Sequence, residues 1–224
     1  MAEHVIKTGL ALPITGVPST ELTTGGTVTR VAVVGHDYPT MKPRMQVKVG
    51  DRVKRGQLLF EDRKGVGIRF TAPGAGEVID IHRGERRKFL SLVIELNEAE
   101  VSGNLTDDDH MAFASYTGEP ASDLSDEQVR SLIAESGLWT ALRQRPFDRV
   151  PSTDQQCAAI FVTATNTNPL AGSVAAAVAG HEEALKEGLI ALSKLTEGTV
   201  FLCVGPDWNP ISLGDVPRLQ QETF

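Results

Sequence analysis

Between Val47 and Val78 the chain reads VKVGDRVKRGQLLFEDRKGVGIRFTAPGAGEV, a stretch that turn formers break into short pieces. Val47, Val49 and Val53 sit at apolar spacings around Gly50-Asp51, a strong tight-turn pair, and this predicts a hairpin. Leu58, Leu59 and Phe60 form a short apolar run bounded by turn formers on both sides, so that run is expected to be buried. Pro73 fixes φ, and Gly74 and Gly76 reach backbone angles closed to other residues, before Val78, Ile79 and Ile81 resume as strand. His82-Arg83-Gly84-Glu85 reads as another turn and Phe89 to Leu96 as a last strand. Short strands with turn signals about every ten residues indicate a small all-β sandwich or barrel.

The pattern V-x-V-G-D-x-V-x-x-G-Q-x-L followed by T-A-P-x-x-G-x-V resembles the biotinyl/lipoyl type of barrel-sandwich domain. In that class a carrier lysine sits at the tip of the hairpin between the two motifs, and Lys64 in EDRKGVG is the residue here that matches it. Its setting differs: Arg63 precedes it, Gly65 and Gly67 loosen the turn, and it lies off centre. A solvated loop lysine is therefore the favoured reading, and a lipoylated or biotinylated carrier the alternative.

A chain of 224 residues with 41% hydrophobic content suffices for one large or two small soluble domains. Its most apolar stretches, Ala158 to Ala164 and Ala171 to Gly180, fall short of the roughly 20 residues of a membrane span. The N-terminus lacks the basic start and continuous apolar core of a secretory signal, so a cytosolic location is expected. Cys157 and Cys203 have no Cys-x-x-Cys partner, which argues against a disulfide framework or a zinc site, and both are expected to be buried strand-end thiols. His36, His82, His110 and His181 lack partners at metal spacing, and His4 falls in a start expected to be mobile. Net charge is −7, yet residues 42–88 hold 13 Lys and Arg against 6 Asp and Glu, a local +7 that leaves −14 on the remainder. This basic β domain suits an acidic protein face or anionic headgroups as well as plain solvation. Nucleic acid is disfavoured, because aromatics for stacking are not interleaved with the basic residues and the rest of the chain repels phosphates.

After Glu98 the composition turns acidic and loop-like through SGNLTDDDH, a connector. Ser125-Asp-Glu-Gln128 is a capping box, followed by Val129, Leu132 and Ile133 on one helical face, with Gly137 placed to end the helix. In the next stretch Trp139 and Leu142 are positioned to pack, Arg143 and Arg145 point elsewhere, and Pro146 stops any helix. Ala158 to Ala164 reads as a buried strand and His181 to Leu195 as an amphipathic helix with Leu185, Leu189 and Leu192 on one stripe. Val200 to Val204 reads as a second buried strand, which completes one βαβ unit. Ligands in such folds sit beyond the carboxyl ends of strands, where Asn166, Thr167 and Asn168 lie. Neither Gly-x-Gly-x-x-Gly nor a Walker loop follows the strand, so polar capping of the loop is favoured there over nucleotide binding. The fold class is mixed α+β. Residues 1–100 form a biotinyl/lipoyl-like barrel-sandwich domain with an N-terminal extension, 101–124 a connector, and 125–224 a partial Rossmann-like α/β part.

Five stretches in order, IKTGLALPITGVP, VVGHDYPTMKPRMQVKVGDRVKRGQLLFED, FTAPGAGEVIDIHRGERR, ESGLWTALRQRPFDRVP and FVTATNTNPLA, closely resemble the NqrA family, the A subunits of the bacterial Na⁺-translocating NADH:quinone oxidoreductase. The resemblance runs over nearly the whole chain, and the Gly-Leu-Trp-Thr-Ala-Leu-Arg-x-Arg-Pro-Phe stretch is its most specific part. It implies that the chain is the N-terminal part of a longer protein that continues into a β-grasp-like part and a helical end. The polar tail from Gly214 to Phe224, in which no closing element is read, fits this expectation.

The resemblance further implies a peripheral subunit on the cytoplasmic face of the inner membrane. The whole complex oxidises NADH, reduces ubiquinone and exports Na⁺, using flavins and an iron–sulfur cluster held by other subunits. The NqrA family is similar in layout to the NADH-oxidising flavoprotein subunit of respiratory complex I, in which a glycine-rich loop cradles FMN. Here the corresponding place reads WTALRQRPF, and Trp139, Leu142 and Phe147 stand where glycines would let backbone amides approach a phosphate. The flavin site is thus expected to be lost, the chain non-catalytic by itself, and no cofactor held in it. Tyr38, Met41 and Arg44, with Trp139, Arg143 and Phe147, are the quinone-proximal candidates, because a quinone headgroup needs an apolar slot with one or two donors. Arg83, Arg86, Arg87 and Lys88 are the candidates for docking on other subunits.

Overall fold

The computed structural model describes the chain except for Met1, Ile6, Leu10, Ala11, Asp207 and residues 209–212. Ile6, Leu10 and Ala11 of the N-terminal stretch IKTGLALPITGVP thus lie outside the described residues. The first strands are β1 (Ala2–Glu3), β2 (Arg30–Val34), β3 (Pro43–Met45), β4 (Arg52–Val53), β5 (Leu58–Asp62), β6 (Arg69–Thr71), β7 (Gly76–Arg83) and β8 (Phe89–Leu96). Then come α1 (Glu98–Ser102), α2 (Asp126–Glu135), β9 (Ala159–Ala164), α3 (Val174–Val178), α4 (Glu182–Ser193), β10 (Thr199–Val204) and β11 (Leu219–Thr223). Two compact units result, one of residues 26–118 and 130–155, the other of residues 1–25, 119–129 and 156–224.

The first unit is a sandwich of two antiparallel sheets, ordered β2-β8-β7-β4 and β3-β5-β6. Strand residues alternate between faces, and Val78, Leu92 and Ile94 are fully buried. Phe60 stacks on Phe70 with ring centroids 4.6 Å apart and meets Phe89 edge-on at 5.2 Å, so aromatic contacts fill this core. Leu59 and Phe60 are adjacent yet both fully buried. The pairing of β5 with β6 shifts register between Leu58 and Phe60, and this irregularity accompanies the break in alternation.

The Gly50-Asp51 turn forms, with Gly50 at φ 91°, but it does not close a hairpin. Strand β3 before it pairs with β5 and strand β4 after it pairs with β7, so the turn carries the chain from one sheet to the other. Its own polar groups bind β7: Gly50 N–H donates to Val78 O at 2.8 Å, and Val78 N–H donates to Asp51 O at 2.9 Å. Apolar spacing signals two strands and a turn, whereas the choice of partners is made by more distant residues.

The second unit is built on a parallel sheet ordered β1-β11-β10-β9. Helix α4 follows β9 and precedes β10, which is the expected βαβ unit. Val200, Leu202 and Val204 of β10 pack with Leu189 and Ile190 of α4 in one core. Strand β9 is less buried than its apolar sequence suggests. It lies at the sheet edge, and Phe161 is 67% exposed while stacking on Phe201 at 4.9 Å. Cys203 is buried, but Cys157 is exposed, since it precedes the strand rather than ending inside the core. The tail contains β11, which pairs with both β10 and β1, so the reading of Gly214 to Phe224 as lacking a closing element is corrected. His4 is likewise held, its Nε2–H donating to Glu222 Oε2 at 2.7 Å and its ring stacking on Phe224 at 4.8 Å.

The Ser125 capping box forms as read: Gln128 N–H donates to Ser125 Oγ at 3.2 Å, and Ser125 N–H donates to Gln128 Oε1 at 2.8 Å. After α2, Gly137 adopts φ 83°. Thr71 Oγ1 of β6 donates to Ser136 O at 2.8 Å, tying residues 136–137 to the sandwich. For this reason residues 137–155 belong to the sandwich unit.

A buried carboxylate staples the same unit after β8. Glu100 of α1, its side chain 3% exposed, accepts from Arg55 Nε at 2.9 Å and from Ala75 N–H at 2.6 Å. The Arg55 hydrogen bond, with the Ala75 N–H adding to it against the opposing effect of burial, holds the Glu100 carboxyl below its ordinary pKa. A depressed pKa means that the stabilisation is complete above the unfolded value, about 4.3, and is lost as pH falls through the folded value. Glu100→Ala is expected to lower stability at neutral pH by about 1–3 kcal/mol. Urea unfolding across the acidic range checks this, and the difference between wild type and variant should shrink as pH falls.

Candidate functional site

Within the sandwich unit three segments enclose an open cleft of about 240 Å³. The loop after β2 contributes Tyr38 to Met41, the β5–β6 connection contributes Asp62, Lys64 and Gly65, and the segment after α2 contributes Gln144, Arg149 and Ser152. Ile68 and Phe70, both almost fully buried, form its apolar floor. Tyr38 meets Phe70 edge-on at 4.7 Å.

The walls are fixed by ordinary backbone requirements. Trp139 is 2% exposed, and a buried indole N–H is stabilised by an acceptor, which Pro151 O supplies at 2.7 Å. Arg130 lies over the same indole at 5.2 Å. Gln144 N–H donates to Arg149 O at 2.7 Å, closing the intervening loop, and Thr153 N–H donates to Val66 O at 3.0 Å, joining this segment to the β5–β6 connection. Asp62 Oδ1 accepts from the N–H groups of Lys42 and Lys64, both at 3.0 Å. Arg143 lies 4.9 Å over the Tyr38 ring and donates to Asp37 O and Leu142 O at 3.3 Å, and also to Thr140 O.

The structure therefore brings together part of the quinone-proximal set. Tyr38 and Met41 line the cleft, and Arg143 holds Tyr38 from outside it. Trp139 supports the wall from within the core. Phe147 is 72% exposed with Arg149 at 5.5 Å, and Arg44 is exposed on β3; neither lines the cleft. Lys64 is exposed on the β5–β6 connection, where it lines the cleft wall. Gln144, Arg149 and Ser152 join the site without any sequence motif that marks them. Only the return of residues 144–155 to the sandwich places them there.

Arg83, Arg86, Arg87 and Lys88 are all exposed at the β7–β8 connection. Lys88 N–H donates to Glu85 O at 3.1 Å around Arg86 and Arg87, which adopt φ 52° and 59°. Two consecutive left-handed residues suit asparagine and glycine far better than arginine. Among the described residues none of these four cations forms an ion pair.

In the second unit, Asn166, Thr165, Pro18 and Ser173 border another open cleft, of about 250 Å³, at the carboxyl end of β9. Asn166 Oδ1 accepts from Asn168 N–H at 3.1 Å and from its Nδ2 at 2.8 Å, so this loop caps itself. No group of three metal-binding side chains occurs among the described residues, nor is any helix there long and apolar enough to cross a membrane.

The two units define a class: a barrel-sandwich hybrid domain and a parallel α/β domain carried on one chain. Residues 4–97 match the NqrA N-terminal barrel-sandwich hybrid domain, and residues 124–224 match the NqrA second alpha/beta domain. The chain is 46% identical over 217 residues to the A subunit of the Na(+)-translocating NADH-quinone reductase of Shewanella amazonensis, covering 97% of this chain and 46% of that protein. It is 45% identical over 219 residues to the protein of the same name from Vibrio anguillarum, covering 98% and 47%. The Neisseria meningitidis protein is 46% identical over 198 residues, covering 88% and 42%. The chain spans about half the length of the curated relatives it matches, and it belongs to the NqrA family.

Arg143→Ala should release the loop that carries Tyr38 and Met41, weakening it by about 1–2 kcal/mol. Amide hydrogen exchange checks this: Met41 N–H, which donates to Tyr38 O at 3.2 Å, should exchange faster in the variant. Exchange in β7 and β8 should not change.

Proposed function

We propose that this chain serves as the peripheral NqrA component of a Na⁺-pumping NADH:ubiquinone reductase, a complex that couples NADH oxidation and quinone reduction to sodium export. The observation that carries this reading is the identity of about half of all residues, along both units, to proteins of that name. In this reading the subunit lies at the cytoplasmic face of the bacterial inner membrane and docks on the other subunits. Flavins and the iron–sulfur cluster belong to those partners, and this chain is non-catalytic by itself. Along the sequence the modules are taken as 1–100, 101–124 and 125–224, with residues 130–155 of the third packing in the sandwich unit.

The geometry after α2 supports the absence of a flavin cradle. A Cβ added at Gly137 would stand 2.4 Å from Thr71 Oγ1, so the space beside this glycine is filled by the chain's own β6. Trp139 fills the core next to it. Tyr38 and Met41 are the quinone-proximal residues best supported, because they border a cleft with an apolar floor. The exposed cations Arg83, Arg86, Arg87 and Lys88 are assigned to docking. Arginine at two left-handed positions is poorly explained by the turn itself, and strain of this kind clusters at functional surfaces, which supports the assignment.

An affinity pull-down of the full-length tagged protein from detergent-solubilised membranes tests the reading. Flavin-bearing membrane partners and sodium-stimulated quinone reduction are expected in the eluate, and a lone colourless protein would overturn it. With Arg86→Glu and Arg87→Glu combined, recovery of partners should fall by about tenfold at an unchanged unfolding midpoint. Undiminished recovery would remove the basic turn as a docking surface.

A further inference from the structure

We propose that the cleft of the sandwich unit is a binding site for a small organic anion, whose charged group is held by Lys64 and Arg149 and whose apolar body lies against Tyr38 and Phe70. The charge balance of the lining carries the argument. Lys64 and Arg149 border the cleft, and among the described residues neither forms an ion pair. The opposing charge is Asp62, whose Oδ1 is engaged by the N–H groups of Lys42 and Lys64. Gln144 and Ser152 add neutral polar groups on the same wall.

The floor sets the second half of the ligand. Ile68 is 2% and Phe70 3% exposed, and the Tyr38 ring stands edge-on to Phe70. An inorganic anion makes no use of such a floor, and a neutral ring makes no use of the two cations. A ligand with both parts satisfies the whole lining. The volume of about 240 Å³ limits the body to roughly one ring or a short chain, below the range of about 300–1,000 Å³ usual for drug-sized ligands.

One strained residue lies on the cleft wall. Thr40, a β-branched residue on the cleft wall, has φ 68°, and Asp148, next to Arg149, has φ 53°. The angle is unfavourable for the β-branched Thr40, whereas aspartate tolerates it, so the strain lies at Thr40, and strain of this kind collects at ligand sites. The anion site rests on the cleft alone and goes beyond the family reading; it competes only with the quinone-proximal assignment of Tyr38 and Met41, which line the same cleft, and the comparison of a charged with a neutral ring separates the two.

Titration of the ¹⁵N-labelled chain with benzoate, and separately with benzamide, tests it. Benzoate should move the amide signals of Lys64, Gly65, Arg149 and Ser152, and benzamide should bind about tenfold more weakly, the loss expected for one charged hydrogen bond. Lys64→Gln with Arg149→Gln should weaken benzoate by about tenfold or more, while the signals of the sandwich core stay in place. Equal binding of benzoate and benzamide would overturn the proposal in favour of a neutral ring such as a quinone headgroup. Binding that survives in the double variant, or no response to benzoate, would also overturn it. None of these failures changes the expected outcome of the pull-down.

Discussion

The hydrogen bond from Trp139 Nε1 to Pro151 O is the constraint on which the cleft depends. An indole N–H buried to this degree gives up its hydrogen bond to water, and leaving it unpaired, as at Trp208 in the other unit, costs free energy. Here that bond is replaced by bending the twelve-residue segment back so that Pro151 reaches the ring. That bend delivers Gln144, Arg149 and Ser152 to a wall facing the β5–β6 connection. Thr153 then bonds Val66 and locks the arrangement. The chemistry of the site is therefore set by an apolar side chain outside it.

Two kinds of positive charge on the sandwich unit differ in what holds them. Arg55 and Arg143 are committed to the protein: one meets a carboxylate, and the other lies on an aromatic ring and donates to three carbonyls. Their roles are structural, and their loss loosens particular loops. Lys64 and the Arg86-Arg87 turn form no ion pair among the described residues, and Arg149 meets only the exposed Phe147 ring, so their charge suits recognition. Composition counts all of these cations alike, and only contacts separate them.

Signals in the sequence are legible where the physics is local. The capping box at Ser125 needs four neighbouring residues and forms as its sequence indicates. Phe89 to Leu96 reads as one strand and is β8. The Gly50-Asp51 turn is present, but the hairpin built on it is not, because a turn fixes the direction of the chain and not the identity of the next neighbour. Ala158 to Ala164 is apolar enough for a central strand, yet β9 lies at the edge, since sheet order is decided by where β11 inserts.

By itself the sequence determined the family, the two kinds of domain, and the basic character of the first, because motifs, periodicity and charge are properties of neighbouring residues. It also named Tyr38 and Met41, which lie on the cleft, together with Arg44 and Phe147, which do not line it. Tertiary structure alone decided that Lys64, Gln144, Arg149 and Ser152 share a wall. They stand up to 88 positions apart, from 64 to 152, and share no pattern along the chain. What joins them is the return of one segment to satisfy a buried N–H, and that requirement acts through space.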